Sequence, residues 1–246
     1  MSRHLLLPIT LLAAAPLAAQ DEGPRFRIGL AFGGGTFDYE TDGSLLDGDT
    51  SGGLFRLEFE GHGESGLGGG LRLEGVASDD DLFTNAGFTP REARESSLFG
   101  FFSWRHTQHR FAMPVRIGLL FDGLVLEDKP TGEETTFDSV GPYFEIEPQV
   151  TLSHGDGVDW SLYGQLGFGA GFSTTEIEGD PREFESSTGF FGLEFGTRLQ
   201  IASVELGLAY VGRFRSYEES DVEGGDFIFA NDSSFSGLLF SFAVIF

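Results

Sequence analysis

The sequence predicts an all-β fold: an up-and-down antiparallel barrel of about ten strands that crosses a membrane, with eight or twelve strands as neighbouring possibilities. Three observations predict it. Segments of ten or more residues alternate apolar with polar or glycine residues from Arg25 onward, the period of strands whose two faces meet different surroundings. The connections alternate short and long, the layout of a transmembrane barrel with turns at one end and loops at the other. The composition, 37 Gly and 27 Phe against one Lys and two Met, is poor material for helices and good material for closely packed sheet.

The chain begins "MSRHLLLPITLLAAAPLAAQ", with Arg3 before an apolar run and small residues before Gln20. That run is shorter than the roughly 20 residues of a spanning helix and reads as a cleaved export signal. The expected organisation is a signal peptide over 1–20 and a barrel over 21–246. With no Cys in the chain, an exported domain has no disulfides to hold it, and closure of a sheet is the available device. The net charge of −24 lacks the basic footprint of a nucleic-acid binder.

The strands are predicted at 25–37, 51–61, 66–78, 96–106, 110–127, 139–152, 158–172, 188–201, 203–215 and 235–246. Trp160, Leu162, Leu166, Phe168 and Phe172 share one face of the seventh, and Phe191, Leu193, Phe195, Leu199 and Ile201 one face of the eighth. In the ninth, Val204, Leu206, Leu208, Tyr210 and Phe214 alternate with Glu205, Gly207, Ala209, Arg213 and Arg215. Short turns fall near residues 62–65, 107–109, 153–157 and 202–203, and long loops at 38–50, 79–95, 128–138, 173–187 and 216–234.

If the apolar parity faces lipid, nineteen of the twenty charges within these segments fall on the inner parity, the exception being Glu127 at the very end of the fifth. A basic side chain facing lipid at mid-bilayer costs about 2–4 kcal/mol, so register is strongly selected. A β-sandwich would place the same apolar face in a core. Segments of twelve or more residues are long for such a fold, whose strands average nearer six.

The terminal strand sets Leu238, Phe240, Phe242, Val244 and Phe246 on one face. Together with the signal and the long alternating strands, this resembles Gram-negative outer-membrane β-barrels of the small-barrel class, outer-membrane protein A-like and porin-family domains included. The resemblance implies a bacterial outer-membrane location, a bilayer with lipopolysaccharide around the barrel, and a C-terminal signal read by the barrel-assembly machinery. The same row is expected to pair with strand 25–37 and close the sheet.

Ten strands enclose little more than their own inward side chains. The inward set includes Arg27, Arg56, Arg72, Arg116, Arg198 and Arg213 with Glu58, Glu74, Asp122, Glu145, Glu147, Glu194 and Glu205. Charges in a partly dry interior need partners, so Arg–carboxylate ladders are expected, for example Glu194 or Glu205 with Arg198, Arg213 or Arg215. Such a lumen acts as a structural plug or lines a narrow gated channel.

The five predicted loops carry 25 Asp or Glu against four Arg or Lys. No cofactor is expected, apart from divalent cations at these acidic loops. In "DYETDGSLLDGD", Asp38, Glu40, Asp42 and Asp49 occupy offsets 1, 3, 5 and 12, a spacing similar to an EF-hand calcium loop. It departs from that pattern in its last residue and its strand-like flanks.

Some barrels of this class are hydrolases, and the ten-stranded omptin proteases place His and Asp at the outer rim. Here His62, His106, His109 and His154 all fall at the short-turn end, so no catalytic residue is assigned. The expected role is a non-enzymatic structural or surface-interaction barrel. A narrow channel and a hydrolase with carboxylates in the outer loops are the alternatives.

Overall fold

A computed structural model describes residues 25–42, 47–79, 82, 91–155 and 157–246; the expected signal peptide lies outside the described residues. The alternating segments form β1 (Arg25–Thr41), β2 (Asp47–His62), β3 (Leu67–Ser78), β4 (Arg91–Gln108), β5 (Phe111–Asp128) and β6 (Glu134–Ile146). They continue through β7 (Gln149–Gly155), β8 (Val158–Ile177), β9 (Glu183–Ile201), β10 (Val204–Tyr217) and β11 (Asn231–Ile245). Both β6 and β7 lie between β5 and β8, so they are two halves of one stave and the wall has ten.

The break falls at Glu147 and Pro148, where proline has no N–H to give the ladder. Flanking bonds span it: the Glu147 N–H donates to the Pro114 carbonyl and the Gly164 N–H to the Pro148 carbonyl. All neighbours are antiparallel, and the β1–β11 ladder closes the cylinder, running in register from Arg27 opposite Ile245 to Thr41 opposite Asn231. Closure removes the free edges that a membrane sheet cannot leave unpaired. At this seam the strands approach so closely that a Cβ on Gly33 or Gly35 would overlap the carbonyl oxygens of Leu238 or Ser236.

The strands reach well into the segments predicted as long loops. β1 continues to Thr41, β4 starts at Arg91, β8 continues to Ile177, β9 starts at Glu183 and β11 at Asn231. The physical reason is an inversion of polarity along each strand. Near the short turns the outer face is apolar, as with Phe26, Leu30 and Phe32 on β1 and Phe191, Phe195 and Ile201 on β9. Toward the other end the exposed outer residues become Asp38 and Glu40 on β1, Glu176 on β8, Glu185 on β9 and Asp232 on β11.

There the inner face becomes apolar instead. Phe37, Tyr39, Leu124, Leu126, Phe137, Val211, Tyr217, Phe235 and Leu239 form a buried cluster inside the barrel. The lower part is thus a membrane barrel, polar within and apolar outside. The upper part is organised like a water-facing barrel with an apolar core.

On the outer face of β9, Phe195 sits in the middle of the apolar belt and Ser187 above it. Phe195→Arg is expected to destabilise the protein in lipid vesicles by about 2–4 kcal/mol. Ser187→Arg should stay within about 0.5 kcal/mol; urea unfolding of the two variants side by side measures the difference.

Candidate functional site

The inward parity of β1, β2, β3, β5, β6, β9 and β10 brings the charged side chains into the lumen, where they assemble in tiers. The lowest tier is a closed ring of alternating Arg and Glu. Arg27 pairs with Glu58 at 2.6 Å, Glu58 with Arg72 at 2.7 Å, and Arg72 with Glu145 at 2.6 Å. Glu145 then meets Arg116 at 2.6 Å, and Arg116 meets Glu147 at 2.9 Å. Arg198 bridges Glu147 to Glu205, the latter at 3.8 Å, and Glu205 returns to Arg27 at 2.9 Å.

Four Arg and four Glu therefore encircle the lumen with no net charge. Glu145 is fully buried and also accepts from Gln165. Arg198 lies 3.7 Å above the ring of Tyr163. Planar guanidinium groups bridging two carboxylates each are what such a ring requires, and Lys would not serve.

Above it, Arg56 and Arg213 both bridge Glu74 and Glu194, at 2.7 to 3.4 Å, making a second closed ring of four. Tyr163 donates to Glu194 at 2.6 Å. One apolar wall, Phe99, Phe101, Leu120, Tyr143 and Phe190, packs beside these tiers, with Arg72 over the Phe99 ring and Arg116 over that of Phe101. Tyr143 lies over Gly167 and Gly192, where a Cβ would displace its hydroxyl.

The third tier is Arg215, which bonds Asp122 at 2.7 Å and also Glu95. Ser233 donates to Glu95 at 2.7 Å. The apolar cluster closes the lumen beyond this triad. Spaces beside Tyr143 and beside Arg56 measure about 40 and 20 Å3, the scale of single water molecules. Below the first ring, at the short-turn end, the lumen widens into a cup of about 430 Å3.

All thirteen lumen residues named from the sequence lie in these tiers. Glu194 meets Arg213, and Glu205 meets Arg198, whereas Arg215 pairs with the unforeseen Glu95. Glu95 lies in the segment predicted as the loop 79–95, but the alternation of β4 extended upward from Phe99 through Ser97 puts it on the inner face. Arg110, which the predicted strand 110–127 puts on the inner parity, is instead exposed in the two-residue turn between β4 and β5. Leu238, Phe240, Phe242, Val244 and Phe246 lie on the outer face of the terminal segment, with Phe246 against Phe26.

The stretch containing Asp38, Glu40, Asp42 and Asp49 forms the two sides of the β1–β2 hairpin rather than a helix-flanked loop; residues 43–46 lie outside the described residues. Asp38 stands opposite Asp49 in register. Burial and the facing Asp49 raise the Asp38 pKa, and Ser234 donates to it at 3.4 Å. Among the described residues no three His, Asp or Glu side chains converge as a metal site would require.

His62 lies beside Ser103 at 3.0 Å and Glu60 at 3.5 Å, but both approach the same nitrogen, Nε2. A relay in which imidazole passes a serine proton under carboxylate control uses its two nitrogens separately. Glu60 moreover chelates Arg116.

No known family model matches the chain, and no curated protein matches it. Among solved structures, the outer membrane protease OmpT from Escherichia coli is similar over 92% of this chain and 98% of its own, with a TM-score of 0.55 at 10% identity. The translocator domain of the autotransporter NalP from Neisseria meningitidis aligns over 89% of this chain and 88% of its own, with a TM-score of 0.41 at 12% identity. The Pseudomonas putida toluene transporter TodX aligns over 95% and 91%, with a TM-score of 0.35 at 11% identity. At such identities the likeness concerns the fold, that of outer-membrane β-barrels.

Glu145→Gln would leave Arg72 and Arg116 each short of a buried carboxylate, an expected loss of about 3–5 kcal/mol in unfolding free energy. Arg182→Gln in the exposed β8–β9 turn should leave the same urea titration almost unchanged, since solvent screens an exposed pair. In that turn Arg182 chelates Asp180 and holds its carboxyl down to about 2. The pairing is present above the ordinary Asp value and lost as pH falls from about 4 toward about 2. An NMR titration that finds Asp180 changing in the usual range near 4 would contradict it.

Proposed function

We propose that this chain is a non-enzymatic barrel of the bacterial outer membrane, an anchor with a plugged lumen whose protruding end serves surface interactions. One observation carries the reading: two rings, a triad and an apolar cluster obstruct the lumen in succession. Such a plug contributes rigidity, and the spaces beside Tyr143 and Arg56 within it are only water-sized.

The protruding end presents carboxylates outward all round the wall, including Asp49, Asp138, Glu176, Glu185 and Asp232. Of the basic groups there, Arg94 is engaged by Glu92 and Glu127, Lys129 by Glu92, and Arg182 by Asp180 and Asp226. Its chemistry suits a cationic partner, and divalent cations would mediate its approach to lipopolysaccharide phosphates. The outward row from Leu238 to Phe246 is the feature the barrel-assembly machinery would read.

In a planar bilayer the purified protein is expected to give no discrete current steps. Steps altered by Glu194→Gln or Arg198→Gln would replace the plug with a gated channel. Cleavage of peptides or of lipopolysaccharide acyl groups, lost when loop carboxylates are changed, would replace the anchor with an enzyme.

A further inference from the structure

We propose that the third tier of the lumen binds one monovalent cation, of the sodium or potassium class, at the second carboxylate oxygen of Asp122. The tiers differ in their charge. The lowest ring balances four Arg with four Glu, and the second balances Arg56 and Arg213 with Glu74 and Glu194. The third sets Glu95 and Asp122 against Arg215 alone. Among the described residues no other basic group pairs with either acid, so this tier carries one negative charge in excess.

Enclosure makes that excess costly. Glu95 and Asp122 are 3% and 4% exposed, and the apolar cluster begins directly above them, with Ala93 one inward position above Glu95 and Leu124 one above Asp122. A buried ion without a counter-charge is neutralised or destabilises the fold. Both oxygens of Glu95 accept hydrogen bonds, one from Arg215 and one from Ser233. Asp122 uses only Oδ2, which accepts from Arg215 at 2.7 Å; its Oδ1 is enclosed without a partner. The unmet oxygen therefore lies in the tier that holds the unmatched charge.

Further oxygens stand beside it. The ladders set Ser139 of β6 opposite Asp122, and Ser173 of β8 opposite Ser139. Directly opposed Cβ atoms are about 4.5–5.5 Å apart, close enough for the oxygens they carry to share one ion. The hydroxyls of Ser139 and Ser173, residues 6% and 2% exposed, are also enclosed without partners. So is that of Tyr217, whose ring packs at 5.1 Å on Phe137, one inward position above Ser139.

Water would satisfy these oxygens without cancelling the charge, and a proton would cancel the charge but reach a single acceptor. A cation does both. The imbalance sets its valence, since a divalent ion would leave one positive charge over, and calcium or magnesium takes about six or more oxygen ligands. The site does not depend on what the protruding end binds or on whether the lumen conducts.

Heat unfolding of the full-length protein in an uncharged detergent, in NaCl, KCl or choline chloride at equal ionic strength, tests this. Sodium or potassium is expected to raise the midpoint above that in choline, by about 3–6 °C at tenfold the dissociation constant of the ion. Asp122→Asn removes the excess charge and should abolish the difference, while the heat-dependent gel shift of a folded barrel persists. Ser139→Ala, which removes a ligand but no charge, should move the response to higher salt. Glu64→Gln, the same change of charge in an exposed short turn, should leave the response as in wild type. Should Asp122→Asn fail to fold, the salt comparison on wild type and Ser139→Ala still decides. Equal midpoints in the three salts overturn the proposal, as does a response that survives Asp122→Asn. So does a carboxyl carbon NMR shift showing Asp122 protonated at neutral pH, which would put a proton in the place of the cation.

Discussion

The lumen holds this structure together through one constraint: a charge enclosed by a narrow barrel must find its opposite within hydrogen-bonding reach. A lone buried ion costs several kcal/mol, and breaking one partner of a pair strands the other. Strict alternation of Arg and Glu around the lowest ring satisfies that demand for eight side chains from seven staves of the wall at once. It also fixes register, because moving any of those strands by one residue would send its charge into lipid and leave a neighbour unpaired.

Much of this is written in the local pattern. The ten staves follow from period-two alternation, and the lumen side of each from where Arg27, Glu58, Arg72, Glu194 and their like fall. The pairings themselves are not local. Arg27 and Glu205 stand 178 residues apart, and only the stagger of a closed wall decides that they meet. The ring as a closed circuit therefore cannot be read from spacing.

The upper wall was hidden for a different reason. Alternation persists through Phe37, Tyr39, Phe137, Phe184 and Tyr217, but the sense of its faces reverses as the wall leaves lipid. Charge density in those stretches reads as loop, because acids that would be forbidden toward lipid are welcome toward water. Glu95 shows the ambiguity most sharply: it lies among outward acids in sequence, yet its own parity carries it inside to Arg215.

The seam between the first and last strands has a kinetic consequence. Loop-closure entropy makes contacts between distant residues slow to form, and β1–β11 is the most distant strand pairing among the described residues. The ring includes side chains from β1, β9 and β10, so it cannot complete before the final strand docks. Until then its guanidinium and carboxylate groups remain hydrated on an open sheet. The step that shuts the cylinder also expels that water, so an incompletely zipped wall lacks the internal pairing that would make it persist.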